Sequence, residues 1–420
     1  MVALETSCYP AGMMDRPPEP HPHVRVYRSA AFYRRRRRFL VATAAVALGL
    51  VVVVVAGVWA WQAHSKGPEA GLVGTRPGGG AGAAAAGSPT SPSPSPPSAS
   101  AASRVITIGW VGDTTPGSKY GLPPDGGRAL FAHIRAQLRA PDLMMANLEG
   151  TYSTPGPSKS DGSTSGTSFS FQAPPSYAAA LRWSGIDLVN VANNHAFDYF
   201  QRGLDQTTST LEKNHVAYAG LPRQVTVTTV KGVRVAVVGF SPYPWSADIN
   251  DIPAAQALVR RAAQRADVVV VLMHAGAEGA DKIHTPTGTE TAFGENRGDP
   301  RAFAHAVIDA GADLVLGSGP HVIRGIERYR NRLIAHSLGN FAGWHNFGLG
   351  GNLSLSGLLT IRIDGAGRLH GGRWLSLYVA QPGVPVVDPS DAAAHLARQL
   401  SAADFPRTWR MDVRGKLTPQ

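Results

Sequence analysis

Six side chains of the types that bind metal or move protons stand where strand-like runs end. Asp113 follows 105–111 and Glu149 follows 143–146, while Asn194 and His195 follow 187–191. His274 closes 268–273, with Glu278 four residues on, and His321 lies five residues beyond 314–316. Alone, each has an ordinary reading, because Gly-Asp after a strand is a common turn and a single histidine finds many hydrogen-bond partners. Together they form an ordered series of oxygen and imidazole donors. In an α/β sheet, groups at the carboxyl ends of strands converge on one cleft. Carboxylates and neutral imidazoles so gathered would suit a metal ion and metal-assisted hydrolysis.

The elements that must position these groups are apolar runs separated by helical patterns. Strands are expected at 105–111, 143–146, 187–191, 233–240, 268–273, 314–316, 333–336, 358–363 and 375–379, and helices at 127–139, 176–183, 203–214, 253–265 and 300–310. Asp299 is the expected N-cap of the last helix. The alternation argues an α/β domain with helices covering its sheets.

In order, these residues resemble the capsule and poly-γ-glutamate synthesis family known as CapA or PgsA, within the calcineurin-like metallophosphoesterase superfamily. The segments that carry the resemblance are GDTTPG (112–117), NLEG (147–150), ANNHAFDYFQRGLDQT (192–207), MHAGAE (273–278), GADLVLGSGPHVIRGIE (311–327) and HSLGNF (336–341). The resemblance implies a four-layer α/β/β/α sandwich and one or two divalent metal ions, with Mn, Fe and Zn all compatible. Carried over by position, Asp113, Glu149, Asn194, His274 and His321 become metal ligands, with Glu149 bridging, and His195 becomes the acid for the leaving oxygen. Glu278, Arg324 and Asn340 are the candidates for substrate contact.

Three positions depart from the family pattern. Thr115 stands where metallophosphoesterases usually carry a histidine, one that the capsule family itself commonly lacks, Ala275 where the family has tryptophan, and Gly319 where it has a histidine that would serve a second metal. Ser318, Glu278 or water would then complete a second site, or one metal binds, or the domain only binds. Three functions stay open: a hydrolase-like capsule or poly-γ-glutamate synthesis component, a non-catalytic polymer- or partner-binding module, and a secreted nucleotidase or phosphodiesterase.

The rest of the chain reads as delivery. Residues 1–38 hold eight arginines against three acids, +5 of the formal +11. Residues 39–61 lack any charge and, as a helix of 23 residues, would span about 34 Å, enough for a bilayer core. Five arginines just before it place the N-terminus in the cytoplasm and the folded domain outside. A Gly/Ala/Ser/Pro-rich linker follows over 62–103, then the domain over 104–385 and a C-terminal extension over 386–420 with a short helix at the domain's edge. The only cysteine, Cys8, leaves the domain without a disulfide. The expected partners are the lipid bilayer through one helix, an anionic envelope polymer or phosphoester, and a membrane synthase complex. No basic patch interleaved with aromatics points to nucleic acid.

Overall fold

The computed structural model describes residues 102–162, 169–346 and 348–418. All nine expected strands form, and most run further than their apolar cores. The first extends over Val105–Thr115, carrying Asp113 within the strand, and the second over Leu143–Leu148. Two sheets result. One runs in the order Arg410–Met411, Lys416–Thr418, Leu369–Ala380, Leu355–Asp364, Val105–Thr115, Leu143–Leu148, Leu188–Asn190, Ala217–Ala219. The other runs Ile326–Tyr329, Arg332–Ala335, Leu314–Ser318, Val268–His274, Val233–Ser241, Thr226–Val230.

Strand periodicity explains why these sheets stack. Alternate residues face opposite sides, so Ile106, Ile108 and Trp110 share one core with Val235, Val237, Val268, Val270 and Leu272 of the other sheet. The intervening Val111, Met144, Ala146 and Leu148 pack outward against Phe131, Ile134 and Leu181. On the far side Val238, Val269, Val271 and Met273 pack on Leu258, Val259, Phe303 and Val307 of the helices Ile252–Ala263 and Pro300–Asp309. Three cores between four layers give the expected α/β/β/α sandwich. Trp110 adds a polar tie between the sheets, its fully buried indole N–H donating to Gly317 O at 3.1 Å.

Helices fared unevenly. Asp299 caps Pro300–Asp309 as expected, accepting from Ala302 N at 2.9 Å. The expected helix over 127–139 breaks into turns at Asp125–Leu130 and Ala132–Ile134 and a four-residue helix at Arg135–Leu138. Gly126 and Gly127, at φ 60° and 92°, are in the left-handed region, which a continuing helix excludes. The helix expected over 176–183 begins as a tight turn at Pro175–Ala178 and ends at Gly185.

The residues beyond 385 close one edge of the first sheet and also contribute to the core. The helix Ala392–Asp404 buries Ala393, Ala394, Ala397 and Leu400 in the core shared by the two sheets. The chain then returns as Arg410–Met411 and Lys416–Thr418, the latter paired with Leu369–Ala380.

One set of expectations is corrected. A transmembrane helix, a bilayer partner, single-pass topology with a cytoplasmic N-terminus, and the reading as a membrane-anchored synthesis component all rested on residues 39–61, which lie outside the described residues. Among the described residues no helix is long and apolar enough to cross a membrane. The longest of them, Phe200–Lys213, has 14 residues, about 21 Å at the helical rise against a hydrocarbon core of about 30 Å. The membrane synthase complex expected as a partner falls with the anchor.

Candidate metal centre and active site

Strand register brings the donors together. In the first sheet Asp113 pairs with Asn147 and Asn147 with Asn190, so Glu149 and the Asn193–His195 turn emerge at the same end. In the second, His274 pairs with Ser318, immediately before the turn through Gly319 and Pro320 that delivers His321. Gly112 lets the first strand come close to the Ser337–Gly339 turn, because a Cβ there would lie 1.9 Å from Gly339 O. Asp113 N then donates to that same carbonyl at 3.1 Å.

Asp113, Glu149 and His321 each offer a ligand atom, all within 4.8 Å of one another. His274 lies beside them, Nδ1 3.7 Å from Asp113 Oδ1 and Nε2 3.7 Å from Glu149 Oε1. Glu149 is completely buried and neither carboxylate oxygen has a hydrogen-bond partner. Such a group is costly unless a cation meets it. Burial, with Asp113 and Glu278 adding to it, pushes the Glu149 carboxyl well above the usual range. Burial opposes charge on His321 too, but Glu149, Asp113 and Glu278 outweigh it and raise the imidazolium to about 10. His274 goes the other way, held neutral by burial. Two carboxylates with imidazoles and orphaned acceptor oxygens fit a divalent metal ion, and Asp113, Glu149 and His321 are the residues that would hold it.

Supporting side chains orient these donors. Asn147 Nδ2 donates to Asp113 Oδ1 at 2.8 Å and contacts His274 Nδ1 at 3.1 Å, while its own oxygen accepts from Asn190 and Asn193. His321 takes a left-handed φ of 61°, uncommon for a side chain of its size. Nδ1 is held there by Asn340 Oδ1 at 3.0 Å and Asp113 Oδ2 at 3.2 Å.

His195 is set apart from the cluster. Its Nδ1 donates to Asp198 at 2.9 Å, which leaves Nε2 4.0 Å from Glu149 Oε1. Burial lowers its pKa, with Asp198 acting against that. Asp198 also binds Lys159 Nζ at 2.6 Å, and Lys159 reaches Asn194 O at 2.8 Å. The serine- and glycine-rich segment after Glu149 is therefore anchored at the site through Lys159; its residues 163–168 lie outside the described residues. A cavity of about 430 Å³ opens here, with His195, Asn194, Lys159, Glu278, Arg297 and Trp245 in its wall. Asn194 Oδ1 is a buried acceptor without a partner.

Two expected substrate contacts are corrected. Arg324 is 1% exposed and locked bidentately on Glu290, both contacts at 2.7 Å, with further bonds to Lys282 O and Ala277 O. It braces the loop after His274 and does not line the cavity. Asn340 uses its oxygen on His321 and its nitrogen on Leu353 O, so it positions a ligand. Glu278 does face the cavity.

The unforeseen residues are Asp198, Asn147 and Arg297. Asp198 carries a signal, a carboxylate three residues after His195. Asn147 lies inside the NLEG segment. Arg297 sits in a loop with no strand end or motif to mark it.

A family model described as Bacterial capsule synthesis protein PGA_cap matches residues 107–343, more than half of the chain. The chain belongs to the bacterial capsule synthesis protein family. Every donor above falls inside the segment that the PGA_cap model spans. Relatives include "Capsule biosynthesis protein CapA" of Bacillus anthracis, 28% identical over 240 residues that cover 51% of this chain and 54% of that protein. "PGA biosynthesis protein CapA" of Bacillus subtilis (strain 168) is 27% identical over 264 residues, covering 57% and 64%. The chain thus spans less than two thirds of either relative. Among solved structures, a putative 5'-nucleotidase from Staphylococcus aureus aligns with a TM-score of 0.37 at 16% identity, covering 71% of this chain and 58% of that one. A TM-score at that level carries no argument about chemistry.

Proposed function

We propose that this PGA_cap member is a metal-dependent phosphoester hydrolase. The observation that carries the reading is Glu149, a fully buried carboxylate with both oxygens unpartnered, set between Asp113, His274 and His321 and facing His195. A bound divalent ion would supply Lewis acidity toward a phosphoryl oxygen and a more acidic water. The chain's own residues do the rest. Asp198 holds the Nδ1 proton of His195 and favours its doubly protonated form, whose Nε2 proton is the one given to the leaving oxygen. Lys159 and Arg297 place positive charge on the cavity wall, where an anionic phosphoester would enter. Tyr243 and Trp245, stacked at 5.1 Å, with Phe169 and Phe293 also in the cavity wall, favour a substrate whose alcohol carries an apolar or planar face.

The test is hydrolysis of bis(p-nitrophenyl) phosphate by chain stripped of metal and reloaded with Mn²⁺, with metal content measured alongside. Metal-dependent turnover that falls in His195→Ala while bound metal stays constant is the expected result. Turnover independent of both metal and His195 would defeat the proposal. The competing reading, a module that only binds, is favoured by Gly319, which supplies no side-chain donor; retained metal with no turnover on any phosphoester would select it.

A further inference from the structure

The cluster has a second set of donors beside the first. His274 Nε2 lies 3.7 Å from Glu149 Oε1, and Glu278 Oε2 lies 3.6 Å from His321 Nε2. With a fourth donor from the turn after Leu314–Ser318, they would make a second metal site. That turn gives nothing. Gly319 has no side chain and cannot easily gain one, because at φ 112° a Cβ would lie 2.9 Å from Ala275 N.

The second set is instead occupied by the chain itself. Arg297 Nη2 lies 2.6 Å from Glu278 Oε1 and 3.5 Å from His274 Nε2. The contact with Glu278 is an ion pair. Arg297 is 1% exposed. Tyr243 OH receives Nη1 at 2.8 Å, and the Arg297 main chain is pinned by Glu290 O and by Gly276 N, each at 2.9 Å. A guanidinium stays charged at any working pH. An ion ligated by His274 Nε2 at about 2 Å would press against that fixed charge and lose Glu278 to it.

We infer that this chain holds one metal ion, on Asp113, Glu149 and His321, and that the Arg297 guanidinium takes the place of a second cation. The inference rests on the hydrolase reading and goes further, assigning the second positive charge of the site to protein. Arg297 presents a planar, permanently charged donor to the cavity, suited to a phosphoryl oxygen as charge builds there. Its donors are directional and cannot exchange, unlike an ion.

The experiment counts ions. Full-length chain is stripped of metal, titrated with Mn²⁺ by calorimetry and read by electron paramagnetic resonance. One equivalent and an isolated six-line spectrum are expected, and Arg297→Lys, which keeps the charge, stays at one. Arg297→Gln frees Glu278 and His274 and rises to two equivalents with an exchange-coupled spectrum. Two equivalents in the parent chain would overturn this inference and leave the hydrolase proposal standing. No bound ion would remove both. A folded Arg297→Gln chain that stays at one equivalent would show that the guanidinium does not exclude the second ion; should that variant not fold, the parent and Arg297→Lys counts decide.

Discussion

Glu149 and Glu327 are both buried glutamates among histidines, yet they are opposites. Glu327 is enclosed: Oε1 accepts from His305 Nε2 at 2.7 Å and Oε2 from His336 Nε2 at 3.1 Å, with Arg301 4.0 Å away. Its histidines are packed as well, His305 on Tyr329 at 3.9 Å and His336 on Phe405 at 4.9 Å. Burial alone would push Glu327 up, but the two imidazole donors hold its carboxyl at about 2. Glu149 has no donor at all and is driven the other way. The same residue types thus make a closed structural joint in one place and an open ligand set in another. The difference is whether the lone pairs are already used.

The largest effect expected is at Glu149. Glu149→Gln should reduce Mn²⁺ affinity by more than about 100-fold, above the range for residues that only orient ligands, and abolish metal-dependent hydrolysis. The metal-free variant should be more stable than the metal-free parent by roughly 1–3 kcal/mol, since a buried carboxyl with no hydrogen-bond donor, crowded by Asp113 and Glu278, no longer has to carry charge there. Calorimetric titration and urea unfolding in chelator measure the two, and a metal-free variant less stable than its parent would break the contrast. His195→Ala should lower turnover by about 10²–10⁴-fold with one bound ion unchanged, which elemental analysis checks.

Glu327→Gln should leave metal binding alone and cost about 2 kcal/mol in urea unfolding at pH 7, the scale of a lost charge-assisted hydrogen bond. Its pH dependence has a definite sign. Because the folded-state pKa of Glu327 is depressed, its contribution is full above the ordinary value of 4.5 and lost as pH falls toward about 2. The gap between parent and variant should therefore close across that window; a gap that widens on acidification would contradict the assignment. Smallest is Asn340→Ala, expected to weaken Mn²⁺ binding about 10-fold by releasing His321 Nδ1, with turnover at saturating metal little changed.

Much of this was legible because strands advertise themselves. Val233–Ser241 and Val268–His274 are apolar at nearly every position, and His274, the polar residue that ends the second run, reaches the cluster. Hairpins were missed where the turn was the only mark. Lys231-Gly232 and Arg330-Asn331 both have positive φ at two successive residues, the mirror-image turn that suits two-residue hairpins; they join Thr226–Val230 to Val233–Ser241 and Ile326–Tyr329 to Arg332–Ala335. Arg297 and Arg324 show the limit of reading charge from sequence. Both lie on loops or short links, and only packing decides that Arg324 spends its charge on Glu290 while Arg297 turns its own into the cleft.

The indole bond from Trp110 to Gly317 joins halves that each own part of the centre, Asp113 and Glu149 on one side and His274 and His321 on the other. Neighbouring residues along a strand are about 3.3 Å apart, so a slip of a single step between the sheets would carry one pair of donors out of reach of the other. Away from the polar links at the centre itself, such as Asn147 to His274 and Gly319 N to Asp113, the contact between the halves is largely apolar side chains, which resist separation but give little preference for one alignment over the next. Trp110 works as an index mark for the stack. A Trp110→Phe chain that stays folded yet binds Mn²⁺ with several coordination states would reveal how much of the site's geometry is written in that one bond.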